Sequence, residues 1–263
     1  MRDWRPEQIR LVQALGLGPI WRVRGGDGGF AAAESGSDAL RGAGGIDALA
    51  DSLPDPAAPA AVGVANLDWE GLEQAVRSCT ACGLCRTRTQ AVFGVGSHAA
   101  RWMFVGEAPG AEEDAQGEPF VGQAGRLLDN MLAAAGLDRA RDGARPHREP
   151  VYIGNVIKCR PPGNRNPDAD EVARCTPFLL RQIELLRPRI LVAMGRFAAQ
   201  TLLQTEDSIG SLRGRTHEFV RGELRIPVVA TYHPAYLLRT PGDKAKAWED
   251  LCLARRVYSE QIP

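Results

Sequence analysis

The 263-residue sequence has no apolar run long enough to cross a membrane, so we expect no transmembrane segment. It has no net charge either, with 32 basic and 32 acidic side chains, and its overall charge therefore points neither to nucleic acid nor to a membrane surface. The first residues, Met1 to Trp4, lack the features of a secretory signal. These absences predict a cytoplasmic protein.

Six cysteines stand out in this context, because disulfides are rare in the cytoplasm and ligation of a metal or cluster becomes the leading explanation. Cys79 and Cys82 have the spacing of a metal-binding pair, and Cys159 and Cys175 are the third and fourth candidates. Four thiolates suit zinc and an iron–sulfur cluster equally well. Cys85 extends the pair to C-x2-C-x2-C, and we expect Cys252 to be a buried apolar residue. The alternative is that all six are unligated core thiols.

The chain divides near residue 66. Residues 25–66 are rich in Ala, Gly, Pro, Ser and Asp and cannot bury enough apolar surface to fold, which predicts a disordered linker. Residues 6–24 have the pattern of a short amphipathic helix, and their LGLGPIW segment resembles the N-terminal peptide of the psi subunit of bacterial clamp-loader assemblies. We therefore expect an N-terminal extension over 1–66, either a poorly ordered tail or a docking peptide for a replication or repair protein, and a folded domain over 67–263.

In the folded part, strands alternate with helices. Apolar runs predict buried strands at 102–105, 151–157, 189–194 and 227–231, each followed by a helical pattern. This alternation predicts an α/β protein, a three-layer α/β/α sandwich around a mainly parallel four-stranded sheet. Loops that follow parallel strands share one edge of the sheet, so Glu107, Asn155 and His233 are expected to converge there. An ordinary strand-to-helix connection is the alternative for the loop Gly106–Gly110.

Several segments carry a more specific signal. They are Cys79-x2-Cys82, VGEAPGAEEDAQGEPFVGQAG at 105–125, GNVIKCRPPGNRNP at 154–167, Cys175, and YHPAYLLR at 232–239. In this order and spacing they resemble the family 4 uracil-DNA glycosylases, the iron–sulfur members of their superfamily. The resemblance runs from about Ser78 to Arg256 and excludes residues 1–66. It implies a [4Fe–4S] cluster, in preference to zinc, on Cys79, Cys82, Cys159 and Cys175, with Cys85 spare.

The resemblance also implies an enzyme of base excision repair, which flips uracil out of single- or double-stranded DNA and hydrolyses its N-glycosidic bond to leave an abasic site. Asn155 would accept a hydrogen bond from uracil N3–H and donate one to O4, whereas cytosine would leave both groups unpaired. Phe120 would stack on the base. The implied uracil-binding residues are Glu107, Ala108, Pro109, Phe120, Asn155 and His233.

The implied catalytic residues are His233, Glu107 and Glu113. His233 would donate a hydrogen bond to uracil O2 as negative charge develops there. Ala108 stands where several related families carry an aspartate base, so Glu107 or Glu113 would position the water together with the loop backbone. Alternatively, a dissociative path would need little help from a base.

Two segments would contact DNA. Arg160 and Arg165 would contact phosphates, as would Arg239, and the Tyr236-Leu237-Leu238 segment would fill the space that the flipped base leaves. We expect a monomer associated with the nucleoid.

Two other functions compete with this interpretation. The first is a covalent uracil-DNA binder resembling the family X proteins, which carry a histidine in a KRRIH-like insert; the segment Arg160–Pro167 has neither. The second is a non-catalytic, replication-associated DNA-binding module.

Overall fold

Seven strands form the sheet within the computed structural model, which describes residues 63–139 and 147–261. Their order is β1-β4-β2-β5-β7-β6, with β3 paired to β4. Strands β4, β2, β5 and β7 run parallel, and β1 and β6 are antiparallel edge strands. The strands are β1 (Val95–Gly96), β2 (Trp102–Gly106), β3 (Leu137–Asp138), β4 (Glu149–Asn155), β5 (Ile190–Met194), β6 (Thr216–Arg221) and β7 (Leu224–Thr231).

Helices connect these strands and flank the sheet. In the described residues the α-helices are α1 (Trp69–Arg77), α2 (Ala111–Gln116), α3 (Gln123–Ala134), α4 (Ala169–Leu186), α5 (Arg196–Leu203), α6 (Ile209–Leu212), α7 (Pro234–Arg239) and α8 (Lys244–Ser259). Short 3-10 helices lie at Gly83–Arg86, Pro162–Asn164 and Pro241–Asp243. No helix in the described ranges is long and apolar enough to cross a membrane.

The predicted fold class, an α/β/α sandwich on a mainly parallel sheet, is confirmed. The four predicted strands form the parallel centre of the sheet. Strands β2 and β5 are buried along their whole length, as expected for strands covered on both faces. The sheet is larger than the predicted four strands. Strands β1 and β3 have only two residues each, and β6 buries only Phe219, so none of them has an apolar run that the sequence could reveal.

The predicted extension falls almost wholly outside the described residues, since the described part begins at residue 63. The linker, the amphipathic segment 6–24 and the boundary near residue 66 therefore stay predictions.

The register of the parallel strands determines where the loops after β2, β4 and β7 begin. Strand β2 pairs with β4 so that Gly106 lies opposite Asn155, the last residue of each strand. Strand β5 pairs with β7 so that Met194 lies opposite Thr231, two residues before His233. The carboxyl ends of the four parallel strands thus end at one edge, and the following loops leave from it together.

A fully buried ammonium group lies behind this edge. Lys158 is 1% exposed, and its Nζ donates to the main-chain oxygen of Asn155 at 2.8 Å and to Gln182 Oε1 at 2.6 Å. The Gln182 amide nitrogen donates in turn to the Tyr152 hydroxyl at 2.9 Å and to the Phe93 carbonyl at 3.0 Å. Gln182 therefore links the buried ammonium of Lys158 to Tyr152 on β4 and to the loop before β1 that carries Phe93.

Replacing Gln182 with leucine should lower the free energy of unfolding by about 2–4 kcal/mol, because the buried Lys158 ammonium and the Phe93 carbonyl each lose a partner. Urea unfolding of the two proteins measures the difference. The matched control is Gln74→Leu, an exposed glutamine on α1, which should stay within about 0.5 kcal/mol of the parent. Equal unfolding midpoints for Gln182→Leu and Gln74→Leu would contradict the role given to Gln182.

Candidate active site

Asn155 is the polar residue at the centre of the sheet edge. Its side chain is 2% exposed, and its Oδ1 atom has no hydrogen-bond partner among the described residues. Glycine at 106 makes room for it, because a Cβ there would lie 2.5 Å from Asn155 Oδ1 and 2.7 Å from Phe120 Cζ. The β2–β4 register thus seats an unpaired acceptor beside an aromatic ring.

Phe120 reaches this position from the loop between α2 and α3. It is 5% exposed and has a φ of 57°, a left-handed conformation that a residue with a side chain seldom adopts. Its ring centroid lies 5.4 Å from that of His233, with the two planes inclined at 31°. Phe120 therefore lies beside Asn155 and close to His233. The convergence predicted for the loops after the strands concerns Glu107, Asn155 and His233, whereas Phe120 is named through the family resemblance.

His233 lies between β7 and α7, and its ring is part-buried. The main-chain N–H of Ala235 donates to His233 Nδ1 at 3.1 Å, so Nδ1 is an acceptor and the proton of the neutral ring sits on Nε2. Burial, with a smaller contribution from the positive charge of Arg239, lowers the pKa of His233 to about 4, and Glu113 opposes the shift. At neutral pH the ring is an uncharged donor.

The loop after β2 carries Glu107, Ala108 and Pro109. Burial raises the pKa of the Glu107 carboxyl above its usual range, and the nearby Arg196 opposes this shift. The main-chain oxygen of Glu107 accepts from the Ile157 amide at 3.1 Å, which ties the loop to the end of β4. Ala108 packs on the main core and Pro109 is buried, so the loop presents the Glu107 side chain on a fixed backbone.

Glu113 has a different setting from Glu107. Its Oε1 accepts from the amides of Val121 at 3.0 Å and Gly122 at 3.1 Å, and its Oε2 accepts from the Gly110 amide at 3.0 Å. Both carboxylate oxygens are therefore bound to main-chain donors. Glu113 thus joins the loop after β2 to the loop that carries Phe120.

Five of the six cysteines line one cavity. It is bounded by Cys79, Cys82, Cys85, Cys159 and Cys175, together with Arg88, Lys158 and Arg174. Two donors already point at sulfur: Arg88 Nη1 lies 2.9 Å from Cys159 Sγ, and the Lys158 amide lies 3.2 Å from Cys175 Sγ. Burial raises the pKa of the Cys82 and Cys159 thiols, and that of Cys175 to about 12.

This donor set fits a thiolate-ligated group, since buried thiols become thiolates when a metal replaces their protons and N–H donors stabilise the sulfur charge. Among residues 63–139 and 147–261 no set of three or more His, Cys, Asp or Glu side chains is arranged to hold one metal ion. Four thiolates can ligate either zinc or an iron–sulfur cluster. Cys252, in contrast, is exposed on α8, so the expectation that it is buried is wrong.

The residues expected to contact DNA divide into two groups. Leu237 is 1% exposed on α7, a helix that contacts α3, which contradicts its predicted contact with DNA; Leu238, one residue further, is 40% exposed. The helical turn sends adjacent side chains to different faces, and the sequence LL did not reveal which leucine points outward. Arg239 is exposed beside Leu238.

Arg165 and Tyr236 are engaged within the protein. Arg165 donates to both oxygens of Glu171, at 2.9 Å and 2.6 Å, and this pairing lowers the pKa of the Glu171 carboxyl. The Tyr236 hydroxyl donates to Asp243 Oδ2 at 2.6 Å. Arg160 bonds only the side chain of Asn164 in the described part of the chain, at 2.7 Å. Arg160 and Arg239 are thus the better placed of the predicted cations.

Some residues at this edge were missed by the sequence reasoning. Arg196 begins α5 directly after β5 and faces Glu107, and a cation at the carboxyl end of a strand was the available signal. Gln182 is a polar residue between buried Leu179 and Ile183 on one helix, which could also have been noticed. Arg139 gave no signal, because it lies in a stretch that reads as an ordinary polar loop.

The fold and the pocket at its carboxyl edge are those of the uracil DNA glycosylase superfamily, whose family model matches residues 93–252. Curated relatives make the assignment finer. The type-4 uracil-DNA glycosylase of Archaeoglobus fulgidus is 46% identical over 179 residues, 65% of this chain and 85% of the relative. Those of Thermotoga maritima and Saccharolobus solfataricus are 43% and 39% identical, over 67% and 74% of this chain and 86% and 88% of theirs. The chain belongs to the type-4 uracil-DNA glycosylase family.

The ring of His233 should titrate at about pH 4, well below the ordinary value of about 6.5. Histidine NMR spectra across pH 3 to 8 measure this, and the His233→Gln variant identifies the resonance among the four histidines. Because the unfolded ring takes up its proton at a higher pH than the folded ring, the contribution of His233 to stability is complete above about pH 6.5 and falls as the pH drops toward 4. A His233 resonance with a midpoint above pH 6 would contradict this account.

Proposed function

We propose that the protein excises uracil from DNA by hydrolysing its N-glycosidic bond, which leaves an abasic site for base excision repair. The observation that carries this proposal is the buried Oδ1 atom of Asn155, which has no partner within the described residues. Buried acceptors are nearly always paired, so this one is expected to receive its donor from a ligand. Uracil N3–H supplies that donor, and uracil O4 accepts from the Asn155 amide nitrogen.

The same atoms exclude cytosine. Cytosine carries an acceptor at N3 and an amino group at C4, so both of its groups would face Asn155 with the wrong polarity. A site that is built to hydrogen-bond one partner rejects an analogue that leaves its buried polar groups unpaired. Phe120 stacks on the flipped base, a sequence-tolerant contact that adds affinity while Asn155 supplies the selection.

His233 stabilises the leaving group. As the bond between C1′ and N1 breaks, the electron pair moves onto the base and negative charge accumulates on O2. The neutral ring donates its Nε2–H to this oxygen, and the Ala235 amide holds the ring in that tautomer. A donor that is uncharged in the free protein also leaves no cation to be desolvated when the base enters.

Water must then add to C1′ from the other side. Glu113 has both oxygens bound to main-chain amides, so we assign the orientation of water to Glu107 and the backbone of its loop. Ala108 supplies no acid–base group. The rate therefore depends mainly on how well the protein stabilises the departing uracil, as in a dissociative path that needs no strong general base.

DNA lies across the carboxyl edge. Leu238 is exposed and enters the stack where the base has left, while Arg239 and Arg160 contact phosphates. Flipping costs a few kcal/mol, and the contacts of Leu238 with the neighbouring bases offset part of that cost. With DNA as its substrate, the protein would associate with the nucleoid. We also propose that it acts as a monomer.

Cys79, Cys82, Cys159 and Cys175 would hold a [4Fe–4S] cluster in the cavity of cysteines, with Cys85 left over. When bound, the cluster would cross-link segments that are distant in the chain. The protein supplies the donors at Cys159 and Cys175, which orient these sulfurs. The residues 6–24, outside the described part, would dock to a replication or repair partner.

Replacing Asn155 with alanine should lower kcat/KM for uracil excision by about 10²-fold or more, since two hydrogen bonds to the base are lost. The measurement is alkaline strand scission of an end-labelled oligonucleotide that contains a single uracil. The control is Asn130→Ala, an exposed asparagine on α3, which should retain full activity. A wild-type protein that retards the oligonucleotide without scission would overturn the enzymatic function and favour a uracil-DNA binder.

Replacing Cys159 with serine should remove most of the iron and the brown colour, because the change deletes one of the four proposed ligands. Iron and acid-labile sulfide per chain, together with visible absorbance, measure the loss. Cys252→Ser, on the exposed side of α8, should keep the iron content of the parent. Cys85→Ser should keep it as well if Cys85 is spare. A colourless wild-type protein that contains zinc would contradict the cluster.

A further inference from the structure

The guanidinium of Arg139 is fixed to the loop that carries Phe120. Its Nη1 donates to the Pro119 carbonyl at 2.8 Å, and its Nη2 donates to the Phe120 carbonyl at 2.6 Å. The same group makes a two-point ion pair with Asp129 on α3, at 2.7 Å and 2.8 Å. The Arg139 side chain is 15% exposed and that of Asp129 is 47% exposed, so the bonds to the turn are the more shielded part of this network.

The backbone of Phe120 needs such support. A φ of 57° costs a residue with a Cβ about 1–2 kcal/mol relative to its usual conformations. Two carbonyls of this turn are held by Arg139, and the next two amides, of Val121 and Gly122, are held by Glu113. The turn is thus bonded from both sides, by a cation on its carbonyls and by a carboxylate on its amides.

The turn determines where the aromatic ring lies. A Cβ at Gly125 would come within 1.8 Å of the Phe120 carbonyl oxygen, so α3 already fits tightly beneath the turn. Above it, the ring faces Gly106 and the His233 ring. If the Phe120 peptide rotated to a negative φ, its side chain would leave this position. The location of the stacking ring is therefore coupled to the two carbonyls that Arg139 binds.

We propose that Arg139 is a positioning residue that holds the Phe120 ring in place to stack on the flipped base. This inference rests on the proposed function, because it concerns the same pocket. Only arginine suits the task, since its planar fork can bind a carboxylate through one edge and two adjacent carbonyls through another. Lysine, as a single point charge, could replace the ion pair with Asp129 but not the paired bonds to the turn.

A double-mutant cycle tests the coupling. Phe120→Ala should lower kcat/KM on single-stranded uracil DNA by about 10- to 100-fold, the range expected for loss of one stacked aromatic ring. Arg139→Met should lower it by about tenfold in the parent but by less than about twofold in the Phe120→Ala background, because the ring it positions is then absent. A tenfold loss in both backgrounds would overturn the proposal.

Inhibition by free uracil separates positioning from general damage to the fold. Free uracil has no phosphate or sugar, so its inhibition constant reports on the pocket alone. Arg139→Met should raise that constant by about tenfold, whereas a partly unfolded preparation would lower kcat and leave the constant unchanged. Arg139→Lys should resemble Arg139→Met. Recovery of the parent constant by lysine would show that only the charge matters and would contradict the role of the fork.

Two controls divide the network. Asp129→Asn retains the bonds of Arg139 to the turn and should change the uracil constant by less than about threefold. Arg225→Met removes an exposed arginine that pairs with Glu218 at 2.7 Å on the β6–β7 hairpin, and it should have no effect. An Asp129→Asn variant as impaired as Arg139→Met would place the function in the ion pair rather than in the turn.

A measurement without catalysis keeps the inference testable if the protein proves inactive. Glycine tolerates positive φ and alanine does not, so Phe120→Gly should melt about 2–4 °C above Phe120→Ala. In the Arg139→Met background the turn can relax, and this difference should disappear. An unchanged difference would refute the role of Arg139 whatever the activity. Absence of scission by the wild type would refute the proposed function instead.

Discussion

The buried ammonium of Lys158 is the contact on which both functional regions depend. Its Nζ bonds the main-chain carbonyl of Asn155, the residue proposed to recognise the base, while the main-chain amide of Lys158 bonds Cys175 Sγ. A charge that is 1% exposed is costly to bury, and that burial lowers the pKa of Lys158 to about 8, although the sulfurs of Cys175 and Cys159 oppose the shift. The site of the cysteines and the base pocket are therefore joined through a single residue. A cluster bound to the cysteine segments, as proposed, would also hold the end of β4 in place through Lys158.

The front of the pocket follows a second constraint, which is that loops without regular structure must still pair their main-chain groups. Glu113 and Arg139 perform this pairing for the segment around Phe120, one on amides and the other on carbonyls. Their charges are opposite and their places in the chain are far apart, so the loop is bound to α2 on one side and to the end of β3 on the other. An acidic residue close to a Gly/Pro loop suggests a catalytic role. Glu113 instead bonds the main chain of the loop that carries Phe120.

The sequence predicted the parallel centre of the sheet well, since each of its strands contains a run of buried residues. It also predicted that Glu107, Asn155 and His233 follow strands that end at one edge, but it named Phe120 only through the family resemblance. It could not predict features that depend on the third dimension. The choice between Leu237 and Leu238 depends on the rotation of a six-residue helix. The pairing of Arg165 with Glu171, and of Arg139 with the Phe120 turn, depends on contacts that composition does not encode. The alternation of apolar and polar residues could not predict β1 and β3 either, because each strand has only two residues.

Asn155 and His233, the two residues proposed to bond the base, are uncharged at neutral pH, and this constrains the chemistry of the pocket. Asn155 is neutral, His233 is neutral at physiological pH because its pKa is about 4, and burial raises the pKa of Glu107. Three main-chain amides bond the Glu113 carboxylate, and Ala108 offers no base. In the proposed mechanism, catalysis therefore acts mainly on departure of uracil, where a fixed N–H donor at O2 is worth most in a water-excluded site. Accuracy in holding the base then matters more than nucleophile strength. That requirement is consistent with two cations, the buried Lys158 and the part-buried Arg139, bonding the main chain of one asparagine and one phenylalanine.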